Sequence, residues 1–154
     1  MLKIIIICVG RLKEKFYIDA QHEYCKRLSG YCKPEVIELP EAVQLPPELA
    51  LNKECAAIEA KLPAGARIIA LCVEGAGLDS FELSQLLKDC AVGGDSRLCF
   101  VIGGSNGLHE RIKNRADVKL SMSKMTFAHN LARVVLLEQL YRGFKIIEGG
   151  KYHK

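Results

Sequence analysis

Residues 98–109 read LCFVIGGSNGLH. The apolar run Leu98–Ile102 passes directly into a turn carrying Gly103, Gly104 and Gly107. A run this short does not make a comfortable helix, and unbroken apolarity suits a strand buried on both faces, the habit of parallel strands between helical layers. Glycine lacks a Cβ, so the turn permits positive φ and uncovers its amide donors, and open α/β sheets bind ligands at the carboxyl ends of their strands. An ordinary tight turn is the plain alternative. The glycine spacing matches neither G-x-G-x-x-G nor G-x-x-x-x-G-K-[ST], so no phosphate cradle is implied.

Working outward, Leu2–Val9 and Ala66–Val73 are further apolar runs, each broken only by a basic residue in its second position, Lys3 and Arg67, with Glu35–Leu39 and Asp117–Ser121 as shorter strands. Between them Glu14–Leu28, Pro47–Leu62 and Ser80–Val92 carry apolar residues at helical spacing, and Ser80 stands where an N-cap belongs. Alternation of this kind predicts an α/β fold, a mostly parallel sheet sandwiched by helices. Pro40–Pro47, with three prolines, reads as a surface loop, and Glu74–Ser80, EGAGLDS, as a plain turn that narrowly misses a nucleotide fingerprint. No repeat or linker interrupts the 154 residues, so one domain over 1–154 is expected.

Hydrophobic residues make up 49% and charged residues 26%, the balance of a globular chain and not a disordered one. No stretch reaches the roughly 18 apolar residues of a membrane helix, and Met1–Val9 lacks a signal-peptide cleavage pattern, so a cytoplasmic protein without a membrane partner is expected. None of the seven cysteines forms a C-x-x-C pair, and Cys8, Cys72 and Cys99 lie inside apolar runs. All seven are expected to be reduced, with no metal. The net charge of +4 mildly favours a polyanionic partner and decides little alone.

The last helix, about Asn130–Phe144, carries Leu131, Val134, Val135, Leu136, Leu137, Leu140, Tyr141 and Phe144 on more than one face. Such a surplus predicts burial against a second copy, hence a homodimer. Before it, Ser121–Asn130 reads SMSKMTFAHN, whose hydroxyls, amides, methionines and Phe127 suit a ligand with both a polar ring system and an apolar chain; a bland connecting loop is the competing reading. His22 reads as a surface residue and His109 as a helix cap, whereas His129 opens the last helix and His153 sits among donors in residues 151–154. Glu138 and Arg142 have i,i+4 spacing for an ion pair, against which stands the reading that Arg133 or Arg142 faces a phosphate or a uracil carbonyl.

VIGGSNGLH (101–109), LSMSKMTFAHNLARVVLLEQLYRGFKI (120–146) and the closing KYHK (151–154) together resemble the RlmH-type ribosomal large-subunit methyltransferases of the SPOUT class. Agreement begins at IIICVGRLKEKFY (5–17) and covers essentially the whole chain. The resemblance implies a C-terminal trefoil knot over about 98–148, a tail at 149–154, a homodimer, and S-adenosyl-L-methionine as methyl donor with no metal. Fold rules disfavour threaded chains, so periodicity would not suggest the knot. Carried onto matching positions, the cofactor contacts fall on Leu71, Gly103, Gly104, Met122, Ser123, Lys124, Met125, Thr126 and Phe127. Where relatives read Phe-Pro-His, this chain has Ala128 before His129 and lacks a stiffening proline.

The family's reaction is methyl transfer to N3 of a pseudouridine in an intersubunit stem-loop of 23S rRNA, on assembled ribosomes. That nitrogen must lose a proton, so donors or a base must lie beside it. The resemblance therefore implies that His129 and Arg133 orient the base, Arg142 holds a phosphate or carbonyl, and Tyr152 and His153 close over the site from either subunit. Another rRNA or tRNA nucleotide as acceptor, or a non-catalytic nucleotide-binding ribosome-assembly module, are the alternatives.

Overall fold

The structure is a computed structural model and describes residues 1–94 and 96–154. Its elements run β1 (Lys3–Val9), α1 (Lys15–Leu28), β2 (Lys33–Leu39), α2 (Pro47–Lys61), β3 (Arg67–Gly77), α3 (Ser80–Val92), β4 (Arg97–Ile102), α4 (Glu110–Arg115), β5 (Val118–Ser121) and α5 (His129–Glu148). The strands form one sheet in the order β2-β1-β4-β3-β5, with every pair parallel. This is the α/β sandwich that the apolar runs predict.

The runs are apolar along most of their length because successive side chains point to opposite faces and both faces are covered. Ile4, Ile6 and Cys8 of β1 join Leu98, Phe100 and Ile102 of β4 in a core closed by Leu28, Leu87, Leu136, Leu137 and Leu140, so α1, α3 and α5 cover that face. Ile5, Ile7 and Val9 join Cys99 and Val101 in a second core with Cys55 and Ile58 of α2 and Ile112 of α4. Gly143 lets α5 approach α3: a Cβ there would lie 2.8 Å from Leu87 Cδ1.

Three local expectations are corrected. Asp79, not Ser80, caps α3, accepting from the Glu82 amide at 2.8 Å, and Ser80 Oγ instead donates to Gln139 of α5 at 2.6 Å. Glu74–Ser80 is not a plain turn. Strand β3 continues to Gly77, pairing with β5 through Leu71 and again from Ala76, with a register shift between them. Finally α5 extends to Glu148, where Gly149 turns left-handed at φ 80° and Gly150 N–H donates to the Lys145 carbonyl, closing the helix.

Candidate functional site

Because all five strands are parallel, their carboxyl ends share one edge, and a cavity of about 630 Å³ opens there. Its walls come from the end of β3 (Leu71–Glu74), the turn after β4 (Gly103–Leu108), the segment after β5 (Ser121–Ser123 and Met125–Ala128) and the start of α5 (His129, Ala132), with Lys113 of α4. The size falls within the range of small-molecule sites. Leu71, Ile102, Met122 and Phe127 supply apolar wall, while turn amides and hydroxyls supply polar groups.

The glycine turn folds back tightly. Gly107, at φ 75°, donates its N–H to the Gly104 carbonyl at 3.0 Å, and a Cβ on Gly103 would collide with the Gly107 carbonyl. The β3 bulge works similarly, since a Cβ on Gly75 would lie 2.7 Å from the backbone of Lys119 and Leu120. The bulge brings Cys72, Val73 and Glu74 to the cavity wall. In the third wall, Ser121 Oγ donates to the Ser123 carbonyl at 3.0 Å and Ser123 Oγ accepts from the Met125 amide at 3.0 Å.

Charge at the site is paired. Lys113 meets Glu74 at 2.5 Å and Glu110 at 3.6 Å. The hydrogen bond from Lys113 holds the Glu74 carboxyl below its ordinary range, and the same bond pushes Lys113 up. Glu41, from the loop after β2, accepts from both the amide and the hydroxyl of Ser105, at 2.8 and 2.7 Å, and the amide bond is the main cause of its lowered pKa.

Of the residues named from the sequence, Leu71, Gly103, Gly104, Met122, Ser123, Met125, Thr126, Phe127 and His129 line this one cavity. Lys124 is exposed and outside its lining. Arg133 is a correction: its side chain is 1% exposed and turned into the protein, donating to Glu38 at 2.5 Å, Gln21 at 3.1 Å and the Gly10 carbonyl at 3.0 Å. A guanidinium so enclosed does not face a phosphate or a nucleobase.

Arg142, Tyr152 and His153 form a separate cluster. Arg142 is bidentate to Glu138 at 2.6 and 3.0 Å, lies 3.1 Å from His153 Nδ1 and sits over the Tyr152 ring at 4.7 Å. The Tyr152 hydroxyl donates to Glu138 at 3.1 Å, and His153 packs edge-on against Phe81. Arg142 lies thirteen residues beyond His129 on α5, about 20 Å along the axis at ~1.5 Å per residue. Within one chain this cluster does not reach the cavity at His129. His22 is exposed, and His109 caps α4 through Nδ1, as expected.

Sequence reasoning missed Glu41, Glu74, Lys113 and Cys72. Glu74 belonged to the misread bulge, and nothing in the proline-rich stretch marked Glu41, which acts 64 residues away. Among the described residues no group of three or more His, Cys, Asp or Glu is placed to hold a metal ion, and no helix is long and apolar enough to cross a membrane.

Comparison with known proteins agrees with this geometry. Residues 2–153 match the family model described as "Predicted SPOUT methyltransferase". The chain is 45% identical over 159 residues to ribosomal RNA large subunit methyltransferase H of Clostridioides difficile (strain 630), covering 99% of this chain and 100% of that one. It is 46% identical, with the same coverage, to the protein of that name from Clostridium novyi (strain NT). Among solved structures, a probable methyltransferase from Bordetella pertussis Tohama I superposes with TM-score 0.56 at 11% identity, over 92% of this chain and 96% of that one. A probable methylase family protein from Haemophilus influenzae Rd KW20 gives 0.55 at 11%, over 99% and 70%. At that identity the two structures speak for the fold alone.

Proposed function

Because this chain belongs to the SPOUT methyltransferase family and is a methyltransferase, we propose that it transfers a methyl group from S-adenosyl-L-methionine to N3 of a pseudouridine in an intersubunit stem-loop of 23S rRNA. It does so in the cytoplasm on assembled ribosomes, as a homodimer, with 1–154 forming one domain whose knot spans about 98–148. The relatives' names carry the action on large-subunit rRNA. One observation supports the donor site most: segments separated in sequence, at Leu71, at Gly103–Gly104 and at Met122, Ser123, Met125, Thr126 and Phe127, line a single cavity.

The cavity suits such a donor. Backbone groups of the glycine turn and the 122–127 segment match the edge of a purine ring, and Leu71, Ile102, Met122 and Phe127 suit its faces and the aliphatic chain. Leu71, Gly103, Met122 and Phe127 would hold a donor that supplies an electrophilic methyl group, and the N3 proton displaced by methylation would pass to solvent water. His129, at the cavity wall beside Gly10, orients the acceptor base. Arg133 acts one step back, holding the carbonyl of Gly10, the residue whose α-carbon side faces the His129 ring. Fixing nucleophile and methyl carbon in line is the main service the walls perform.

The distance along α5 supports a role for Arg142, Tyr152 and His153 in the neighbouring subunit's site, and the 149–154 tail with them. Phe16, Phe81 and Leu131 are exposed and Val134 and Val135 only half-buried, an apolar surplus that suits cover by a second copy. Purified protein, labelled donor and ribosomes lacking the modification test the reading. Label is expected on one 23S pseudouridine, and label on another nucleotide, or none, overturns it.

A further inference from the structure

The carboxylate of Glu41 has no ion-pair partner within 4.0 Å among the described residues, yet it is held from both sides. The amide of the next residue, buried Ala42, donates at 2.9 Å to Glu54, an α2 carboxylate only 3% exposed. Burying a carboxylate is costly unless hydrogen bonds offset it, so Glu54 is an expensive anchor for a surface loop. What the anchor secures is Glu41 Oε1, which takes two hydrogen bonds from Ser105 in the wall of the donor cavity. Gly104 makes room for it, since a Cβ there would stand 2.8 Å from the same oxygen. The other oxygen, Oε2, faces Gly10 beside His129.

We propose that Glu41 is a positioning residue for the donor pocket: anchored through Ala42 by Glu54, it brackets the Gly103–Gly107 turn through Ser105 and holds it in ligand-ready shape before any ligand arrives. A turn already ordered spares the ligand the cost of ordering it. The bracket works through acceptor geometry, so a glutamine, whose amide oxygen accepts both bonds, replaces it and an alanine does not. The inference rests on the donor-site reading above for the ligand, and not for the bracket itself.

The test uses the full chain and S-adenosylhomocysteine, the demethylated donor, by calorimetry, together with hydrogen exchange of the Gly107 amide without ligand. Glu41→Ala is expected to speed that exchange and to weaken binding, each about tenfold, with Glu41→Gln within about threefold of the parent on both. Ser105→Ala, which removes one of the two bonds, is expected to fall between them and serves should Glu41→Ala not fold. Unchanged exchange and affinity in Glu41→Ala, or Glu41→Gln failing as badly as alanine, overturns the bracket. If the parent binds no product while exchange still follows the expected order, the donor reading fails and the bracket stands.

Discussion

Arg133 of α5 and Glu38 of β2 meet at 2.5 Å, and the same Glu38 oxygen accepts from the Leu12 amide at 3.1 Å. With the bond from Arg133 to the Gly10 carbonyl, the pair ties together α5, the end of β2 and the loop after β1. Arg133 is buried and Glu38 31% exposed, so what removal of Arg133 forfeits is the set of charge-assisted hydrogen bonds to Glu38, Gln21 and the Gly10 carbonyl, together roughly 3 kcal/mol. Arg133→Met is therefore expected to lower the melting temperature by about 9 °C at ~3 °C per kcal/mol for a chain of this size. Lost methyl transfer with unchanged melting would instead put Arg133 in contact with substrate.

Glycines 75 and 77 stand two residues apart in β3 and answer differently to a methyl group. At Gly75 a Cβ meets the backbone of β5 at 2.7 Å, whereas at Gly77 nothing lies within 4 Å. Forced overpacking costs about 2 kcal/mol, so Gly75→Ala is expected to lose about that much in urea unfolding. Gly77→Ala should be neutral or slightly stabilising, because alanine restricts the unfolded chain. Equal losses at both positions would mean that the bulge does not bring the strands this close.

Ala128, before the first residue of α5, has a backbone that proline adopts, with φ −55° and ψ 136°. A proline at a compatible φ restricts the unfolded chain and stabilises by roughly 0.5 kcal/mol. Ala128→Pro is thus expected to raise the melting temperature by one or two degrees without weakening donor binding. A fall in melting temperature would count against the described course of this loop.

If residues 149–154 act in the neighbouring subunit, two defective chains should repair each other. A chain truncated after Glu148 keeps its cavity, and a Gly103→Val chain keeps its tail but blocks its turn. Each alone is expected to be inactive on ribosomes, while mixed dimers should recover part of the parent activity. No recovery from verified heterodimers would confine the tail to its own subunit.

Burial pushes the thiols of Cys8, Cys32 and Cys99 up to about 12 from an ordinary 9.0. A raised folded pKa means stability that is complete below 9 and lost as pH climbs toward 12, because the unfolded chain ionises first. Thermal melts from pH 8 to 11 should therefore fall, and less so when Cys99 is replaced by alanine. In native protein at pH 8 these three thiols should resist alkylation, whereas Cys72 in the cavity wall should react slowly and be shielded by S-adenosylhomocysteine.

Much of the fold was legible because a strand covered on both faces is apolar at nearly every position, and Leu98–Ile102 meets that demand while Leu2–Val9 and Ala66–Val73 depart from it only at Lys3 and Arg67, near their starts. The β3 bulge was not legible: EGAG is equally good turn sequence, and only contact with Leu120 distinguishes the two. Residue type likewise offered Arg133 only as a contact to a phosphate or a nucleobase, with no sign of an internal clamp. Glu38 and the Gly10 carbonyl, 95 and 123 residues away, decided for the clamp.

By itself the sequence determined most of the strands and helices, the glycine turn after β4 and, through resemblance, the segments that line the cavity. Periodicity and composition are local properties, and those features depend on neighbours within a few residues. Tertiary structure alone decided that Glu41 accepts from Ser105 of the turn, that Arg133 points inward, and that Arg142, with His153 beside it, stands about 20 Å along α5 from His129. These relations follow from the sheet order β2-β1-β4-β3-β5, which brings together strand ends that the chain keeps far apart.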